Sequence, residues 1–149
     1  MSEPVEDLLA AFLAATPYAR FLGMSAGRAG DEMTAILPYS PHLIGNTQIP
    51  ALHGGVLGAF MEMTALLQLS IDERQRRQPR TIDITIEYLR PGRAPLTSFA
   101  RADVRKVGRR IANVHVEAWQ ETRASPVAAL RGHFMLSSPA TLEVPSPPP

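Results

Sequence analysis

Cysteine is absent from the 149-residue sequence. The absence excludes disulfides, thiolate nucleophiles and zinc sites built on sulfur. Lysine is nearly absent too, since Lys106 stands alone beside fourteen arginines, and the formal net charge is only +1. A nucleic-acid-binding protein normally carries a large basic excess, so the charge argues against that class of function.

The sequence also lacks recognisable targeting segments. Its N-terminus, MSEPVEDLLAAF, carries acids and no basic region ahead of the apolar residues, unlike a secretory signal peptide. No apolar run approaches the roughly 20 residues expected of a membrane span. We therefore expect a cytoplasmic protein that does not contact a membrane.

Length and composition predict one globular domain over residues 1–138, because a chain that is 45% hydrophobic can bury a workable core. The proline-rich segment 139–149 is predicted to be disordered. Residues 4–15 predict a short helix, with a proline near the start and acids in the first turn. Residues 21–40 predict two short strands around a Gly-Asp turn, and residues 39–52 predict a loop.

The most apolar segment predicts a central helix from Gly54 to about Ser70. A helix that is apolar all round is buried all round. Residues 81–88 then alternate strictly, which places Thr81 and the isoleucines on opposite faces of a strand. Three more strand-length segments follow, at 96–107, 109–121 and 126–138.

These elements predict an α+β fold in which an antiparallel sheet of five to six strands curls around one long central helix. Short turns between the later strands favour antiparallel neighbours. One sheet covers only one side of the helix. The other apolar side therefore implies either a second subunit or a sheet that wraps almost completely around the helix.

The stretch LHGGVLGAFMEMT, residues 52–64, carries one acid in its middle, Glu62. Burying an unpaired carboxylate is costly. A structural ion pair or a place at an exposed helix edge would explain Glu62. A general base or a nucleophile in a pocket is the alternative explanation.

The His-Gly-Gly segment before this acid favours the second explanation. Backbone N–H groups in a first helical turn are unpaired within the helix and lie at its positive end, so Gly54 and Gly55 suit an oxyanion. Tight helix packing is the alternative for the glycines, and a structural histidine is the alternative for His53. No second histidine or carboxylate lies at ligand spacing from His53, so no metal site is predicted.

Taken together, these motifs resemble hotdog-fold acyl-CoA thioesterases, and most closely the PaaI-like branch of the 4-hydroxybenzoyl-CoA thioesterase superfamily. The resemblance rests on HGG with an acid nine residues after the histidine, on TIDITIEYLRPGR and on VRKVGRRIANVHVEAW, and it covers roughly residues 20–137. It implies hydrolysis of an acyl-CoA to a free acid and coenzyme A. It also implies a homodimer that assembles into a homotetramer, with each site shared between subunits. Coenzyme A enters as part of the substrate, and no cofactor is implied.

Carried over by position, the catalytic acid of the family falls on Glu62, where PaaI-like members more often carry aspartate. General base and nucleophile both remain open for this residue. The oxyanion donor falls on Gly54 or Gly55. The polar loop residue that places water or the thioester falls on Asn46, with Gln48 as its rival.

The resemblance also implies roles for residues on the strands and turns. The serine or threonine of the family at the start of the post-helix strand falls on Thr81, which an ordinary strand threonine would also explain. Arg90, Arg109 and Arg110 lie at turns, where solvated hairpin ends would account for them. The resemblance implies instead that they bind the phosphates of coenzyme A, which the planar guanidinium fork suits.

Two alternative functions remain open. A hotdog dehydratase acting on acyl thioesters would also use a histidine and a glutamate, but its histidine precedes a Pro-Gly turn, which PALHGGVLGAFME does not match. A non-catalytic acyl-CoA-binding protein would bind ligand without turnover.

Overall fold

A computed structural model describes residues 5–29, 32–74, 76–138 and 148 of the chain. The predicted Gly-Asp turn at 30–31 lies outside these residues. So does the predicted tail at 139–149, apart from Pro148.

The described residues form eight strands and three α-helices. The strands are β1 (Ser25–Ala29), β2 (Glu32–Leu37), β3 (Ile44–Asn46), β4 (Ala51–Leu52), β5 (Gln78–Tyr88), β6 (Ser98–Val107), β7 (Ile111–Trp119) and β8 (Ala128–Ser137). The helices are α1 (Val5–Ala15), α2 (Pro17–Leu22) and α3 (Gly54–Asp72). Six strands form one antiparallel sheet in the order β1-β2-β6-β7-β8-β5, and this sheet packs against α3. The predicted α+β architecture of a sheet curled around one long helix is confirmed.

Two parts of the first half differ from the sequence prediction. Helix α2 was not predicted; Pro17 begins it, and Gly23 ends it with a φ of 82° that suits a residue without a side chain. The segment predicted as a loop contains a turn of 3₁₀ helix, Pro41–Leu43, and the paired strands β3 and β4. Both strands are too short to show a period.

Helix α3 lies against the inner face of the sheet and carries much of the core. Phe60, Met61, Leu67 and Leu69 are fully enclosed. Contrary to the sequence expectation, this 19-residue helix is long and apolar enough to meet the length and hydropathy of a membrane span. More than half of it is buried inside the fold, so its place in the core accounts for its hydropathy.

One stripe of α3 is left open by the sheet. Gly55 is exposed, and Ala59, Glu62 and Leu66 are only half-buried. Their spacing of four, three and four residues places them on one face of the helix. The helix is therefore not buried all round within a single chain, and its open stripe contains Glu62.

Strand β5 forms an edge of the sheet and contains an irregularity near its start. Thr81 pairs with Phe134 and Asp83 with His133, so Ile82 is an extra residue without a partner in β8. Cross-strand partners share a face. Thr81 therefore shares the inner face with the buried Phe134, which corrects the strict alternation predicted from the sequence.

A substitution at Gly132 of β8 tests how tightly the sheet packs. A Cβ atom there would lie 2.9 Å from Cε2 of Phe134 and 3.0 Å from the carbonyl oxygen of Asp83. We expect Gly132→Ala to lower the free energy of unfolding by about 1–3 kcal/mol, because neither the enclosed ring nor the backbone can move freely. Urea denaturation measures the change.

Gly27 of β1 provides the matched control. A Cβ atom there would meet only Cδ1 of Ile36, at an ordinary 3.7 Å. Gly27→Ala should leave stability unchanged or raise it by up to about 1 kcal/mol. Equal stability of the two variants would contradict tight packing at Gly132.

Candidate active site

The first turn of α3 is capped by the side chain of His53. Its Nδ1 atom accepts a hydrogen bond from the backbone N–H of Gly55 at 2.9 Å. Its carbonyl oxygen accepts from the N–H groups of Val56 and Leu57 at 3.0 and 3.3 Å. The imidazole is otherwise exposed. In this structure His53 therefore acts as an N-cap, the usual way of satisfying the free donors of a first turn.

The two candidate oxyanion donors differ in availability. The N–H of Gly55 is already engaged by His53. The N–H of Gly54 donates to no acceptor within the described part of the chain. Of the two candidates, only Gly54 has an N–H at the positive end of α3 that the described residues leave free.

A residue that the sequence did not single out holds the same turn. The hydroxyl of Tyr88, at the end of β5, donates to the carbonyl oxygen of Gly54 at 2.7 Å. The ring lies 3.3 Å from the place where a Cβ of Gly54 would be. The contact joins residues 34 positions apart in the sequence, so no local pattern predicts it.

The β3–β4 segment packs directly against the first turn of α3. A Cβ atom on Gly45 would lie 2.5 Å from Cα of His53, so only glycine fits there. Next to it, Oδ1 of Asn46 accepts from the backbone N–H groups of Gln48 and Ile49 at 2.9 and 3.2 Å. This oxygen closes the turn, and the exposed amide of Asn46 remains near the start of the helix.

Glu62 lies two helical turns beyond Gly54. It is half-buried, and it makes no hydrogen bond or ion pair with any residue that the structure describes. The structural ion pair considered from the sequence is thus not seen among those residues. At 1.5 Å per residue, Glu62 and Gly54 are about 12 Å apart along the helix axis. Within one chain, Gly54 and Glu62 are therefore too far apart to act on the same substrate atom.

The far end of α3 is fixed by a charged side chain. Arg77 donates to both carboxylate oxygens of Glu73 at 2.8 Å and to the carbonyl oxygen of Arg109 at 2.7 Å. The hydrogen bond from Arg77 lowers the pKa of Glu73. Burial raises the pKa of the neighbouring Asp72. This contact joins the end of the helix to the β6–β7 turn.

Arg109 and Arg110 lie at that turn, far from Arg90. They line an open cavity of about 560 Å³ together with Lys106, Gly108, Ile111, Asn113 and His133. The carbonyl oxygen of Arg110 accepts from the N–H of Leu136 in β8, which lies opposite the start of β5. Arg90, in contrast, follows the end of β5. An 11-residue strand spans roughly 30 Å, so a single chain does not bring the three arginines together.

Thr81 and Gly54 are also separated within one chain. Thr81 lies seven residues along β5 from Tyr88, which contacts Gly54. Within residues 5–29, 32–74 and 76–138 no three His, Asp or Glu side chains lie close enough to hold a metal ion.

Comparison with known proteins identifies the family. The sequence model of the thioesterase superfamily matches residues 50–127, from the loop before α3 to the start of β8. The chain belongs to the thioesterase superfamily. Escherichia coli YigI, named a medium/long-chain acyl-CoA thioesterase, is 31% identical over 119 residues, which cover 70% of this thioesterase and 76% of YigI.

Solved structures agree with this assignment. A Chromobacterium violaceum protein is 37% identical, covers 93% of each chain and gives a TM-score of 0.72. The E. coli PaaI protein of the phenylacetic acid degradation operon gives a TM-score of 0.74 over 89% of this chain and 92% of its own. At 22% identity, the PaaI match shows the fold alone. The predicted hotdog-fold thioesterase, a thioester hydrolase, is confirmed.

We expect the cap at His53 to be measurable as stability. His53→Ala removes the acceptor of the Gly55 N–H and should lower the free energy of unfolding by about 1 kcal/mol. His53→Asn should retain most of that stability, because asparagine is a favoured N-cap residue. Urea denaturation of the three proteins measures the difference. Equal stability of the alanine variant and the wild type would show that the Nδ1 contact contributes nothing.

Proposed function

We propose that this thioesterase hydrolyses an acyl-CoA to the free acid and coenzyme A at a site formed by two subunits. The observation that carries the proposal is the separation of Gly54 and Glu62 by about 12 Å along one helix. A thioester carbonyl must lie about 3 Å from both its oxyanion donor and its attacking group. Acyl-CoA is the proposed substrate class because YigI carries that name.

An antiparallel pair of α3 helices would remove the separation. If Gly54 of one chain faces Glu62 of the partner subunit, the helices cross at residue 58, midway between them. Ala59, on the open stripe, stands next to that position, and its small side chain would let two helices approach closely. The open stripe of α3 and the unpaired edge of β5 would both be covered by the same contact. A homodimer is then the smallest complete assembly, and a homotetramer would join two of them.

In the proposed chemistry, the thioester carbonyl of the substrate lies between Gly54 of one chain and Glu62 of the partner subunit. The Gly54 N–H and the positive end of α3 polarise the thioester oxygen. Glu62 of the partner subunit either takes a proton from the attacking water or attacks the carbonyl itself and is then released by water. The C–S bond breaks, and the thiolate of coenzyme A leaves and is protonated. The amide of Asn46 orients the water or the thioester, and Gln48 remains its rival.

The same two-fold arrangement would bring the arginines together. Antiparallel pairing of β5 edges places the start of one strand near the end of the other. Arg109 and Arg110 of the partner subunit then approach Arg90 at the side of the site where α3 begins. Three guanidinium groups there would bind the phosphates of coenzyme A. Thr81 of the partner subunit would lie on the inner face of its strand, in the half that approaches Gly54.

Replacement of Glu62 tests the chemistry. Glu62→Gln keeps the shape and removes the charge and the basicity, so kcat should fall by about 10²–10⁴. The thermal midpoint should hold or rise, because a half-buried charge without a partner is removed. Release of free thiol from a panel of acyl-CoAs, starting with medium and long chains, measures kcat. A stable variant with near-wild-type turnover would show that Glu62 is not the catalytic acid.

Glu73→Gln is the matched control at the other end of α3. It removes the pair with Arg77 and should lower stability at neutral pH while kcat is retained. Because the fold lowers the pKa of Glu73, its contribution is present above the unfolded value and is lost as pH falls through the folded value. The stability difference from the wild type should therefore disappear in acid.

Replacement of Gly54 tests the donor and the shared site. Gly54→Pro deletes the N–H and adds a Cβ atom that contacts Tyr88. Proline is favoured at the first helical position, and the ψ of 134° at His53 accepts a following proline, so the helix start is retained. We expect kcat to fall by about 10²–10³. Gly54→Ala adds the same Cβ contact with Tyr88 but keeps the N–H, so it should lose much less.

Co-expression of the Glu62→Gln and Gly54→Pro chains with two different tags gives purified heterodimers. In the proposed arrangement one site of each heterodimer carries both defects and the other carries neither. Activity per dimer should then recover to about half of the wild-type value. Heterodimers as inactive as the two parent variants would show that each site lies within one chain.

A further inference from the structure

Tyr88 makes an unusual contact for a residue at the end of an edge strand. The residue is 54% exposed, and yet its hydroxyl donates to the carbonyl oxygen of Gly54 at 2.7 Å. Because the side chain is exposed, its hydroxyl could bond water instead of the protein, and the contact buries little apolar surface. Its main effect is therefore to fix the first turn of α3 relative to β5.

The peptide between Gly54 and Gly55 is held at both of its polar ends. Tyr88 binds its carbonyl oxygen, and Nδ1 of His53 accepts from its N–H at 2.9 Å. The preceding peptide is held through the His53 carbonyl oxygen, which accepts from Val56 and Leu57. The N–H of Gly54 belongs to that preceding peptide and lies between these anchors. It is the one N–H group of this turn that the described residues leave free.

Glycine makes these anchors necessary. Gly54 has no side chain to limit its φ and ψ angles, so the direction of its N–H depends on contacts from outside. The Tyr88 ring occupies the place of the missing side chain, with Cε1 and Cζ 3.3 Å from the position of a Cβ. A donor that is already aimed stabilises a developing oxyanion without reorganisation.

We propose that Tyr88 is a positioning residue that aims the Gly54 N–H at the thioester oxygen. This inference rests on the proposed function, because it assigns the oxyanion donor to Gly54. Tyr88 acts through the helix turn and does not itself supply a proton or a nucleophile.

Tyr88→Phe in the full-length protein tests the inference, because it removes the hydroxyl and keeps the ring. We expect kcat to fall about 3- to 10-fold, the effect of losing one neutral hydrogen bond. KM should be unchanged, because ground-state binding of the acyl-CoA is not altered. Tyr18→Phe is the control, since the hydroxyl of Tyr18 bonds no described residue; it should leave kcat unchanged. An unchanged kcat in Tyr88→Phe would overturn the proposal.

A double-mutant cycle separates positioning from a purely structural effect. In the Gly54→Pro background the N–H is gone, so Tyr88→Phe should lower kcat no further. A Tyr88→Phe loss of the same factor in both backgrounds would mean that Tyr88 acts independently of Gly54, and the proposal would be wrong.

An activity-independent measurement distinguishes this proposal from the proposed function. In ¹⁵N–¹H spectra, Tyr88→Phe should shift and broaden the amide peaks of Gly54 and Gly55, whereas Tyr18→Phe should not. If these peaks stay unchanged, the anchoring role is refuted even in an active enzyme. If they change but the wild type releases no thiol from any acyl-CoA, the proposed function fails and the anchoring contact stands.

Discussion

The close approach of α3 to the edge strand β5 is the constraint on which the rest of the structure depends. A Cβ atom on Gly58 would lie 2.8 Å from Cδ1 of Ile86, and one on Gly54 would lie 3.3 Å from the ring of Tyr88. Two glycines one turn apart thus let the strand lie against the bare backbone of the helix. As a result, the beginning of α3 reaches the margin of the sheet, where another molecule can approach it.

Most backbone hydrogen-bond donors near this margin have an acceptor within the chain. A first turn leaves its N–H groups unpaired, and the side chain and carbonyl oxygen of His53 accept from three of them, those of Gly55, Val56 and Leu57. The hydroxyl of Tyr88 binds the carbonyl oxygen of Gly54 in the same turn. The fourth donor, the Gly54 N–H, has no acceptor in the part of the chain that the structure describes. The acid at Glu62 is equally without a partner among the described residues, but it lies about 12 Å farther along the helix. The proposed catalysis across a subunit boundary would explain this free donor and this free carboxylate together.

Several parts of this arrangement could be predicted from the sequence because they have a local signal. The long apolar run from Gly54 predicted α3, and Glu62 became a candidate because it is the one acidic residue within residues 52–64. The reversal of face at Thr81 could not be predicted, because the extra residue Ile82 looks like one more member of an alternating strand. Strands β3 and β4 contain only three and two residues, too few to show a period. The contact between Tyr88 and Gly54 is set by tertiary packing and has no local signal.

Strand β5 also has a consequence for how the protein is made in the cell. Its outer side is an unpaired edge of the sheet, and Ile82, Tyr88 and Leu89 are about half exposed along it. Such an edge can pair with any extended chain that it meets. If two β5 edges pair as proposed, a newly synthesised molecule must pair with a second copy before its edge pairs with another extended chain. The yield of soluble protein would then depend on how fast it is synthesised, and slow expression at low temperature would favour recovery.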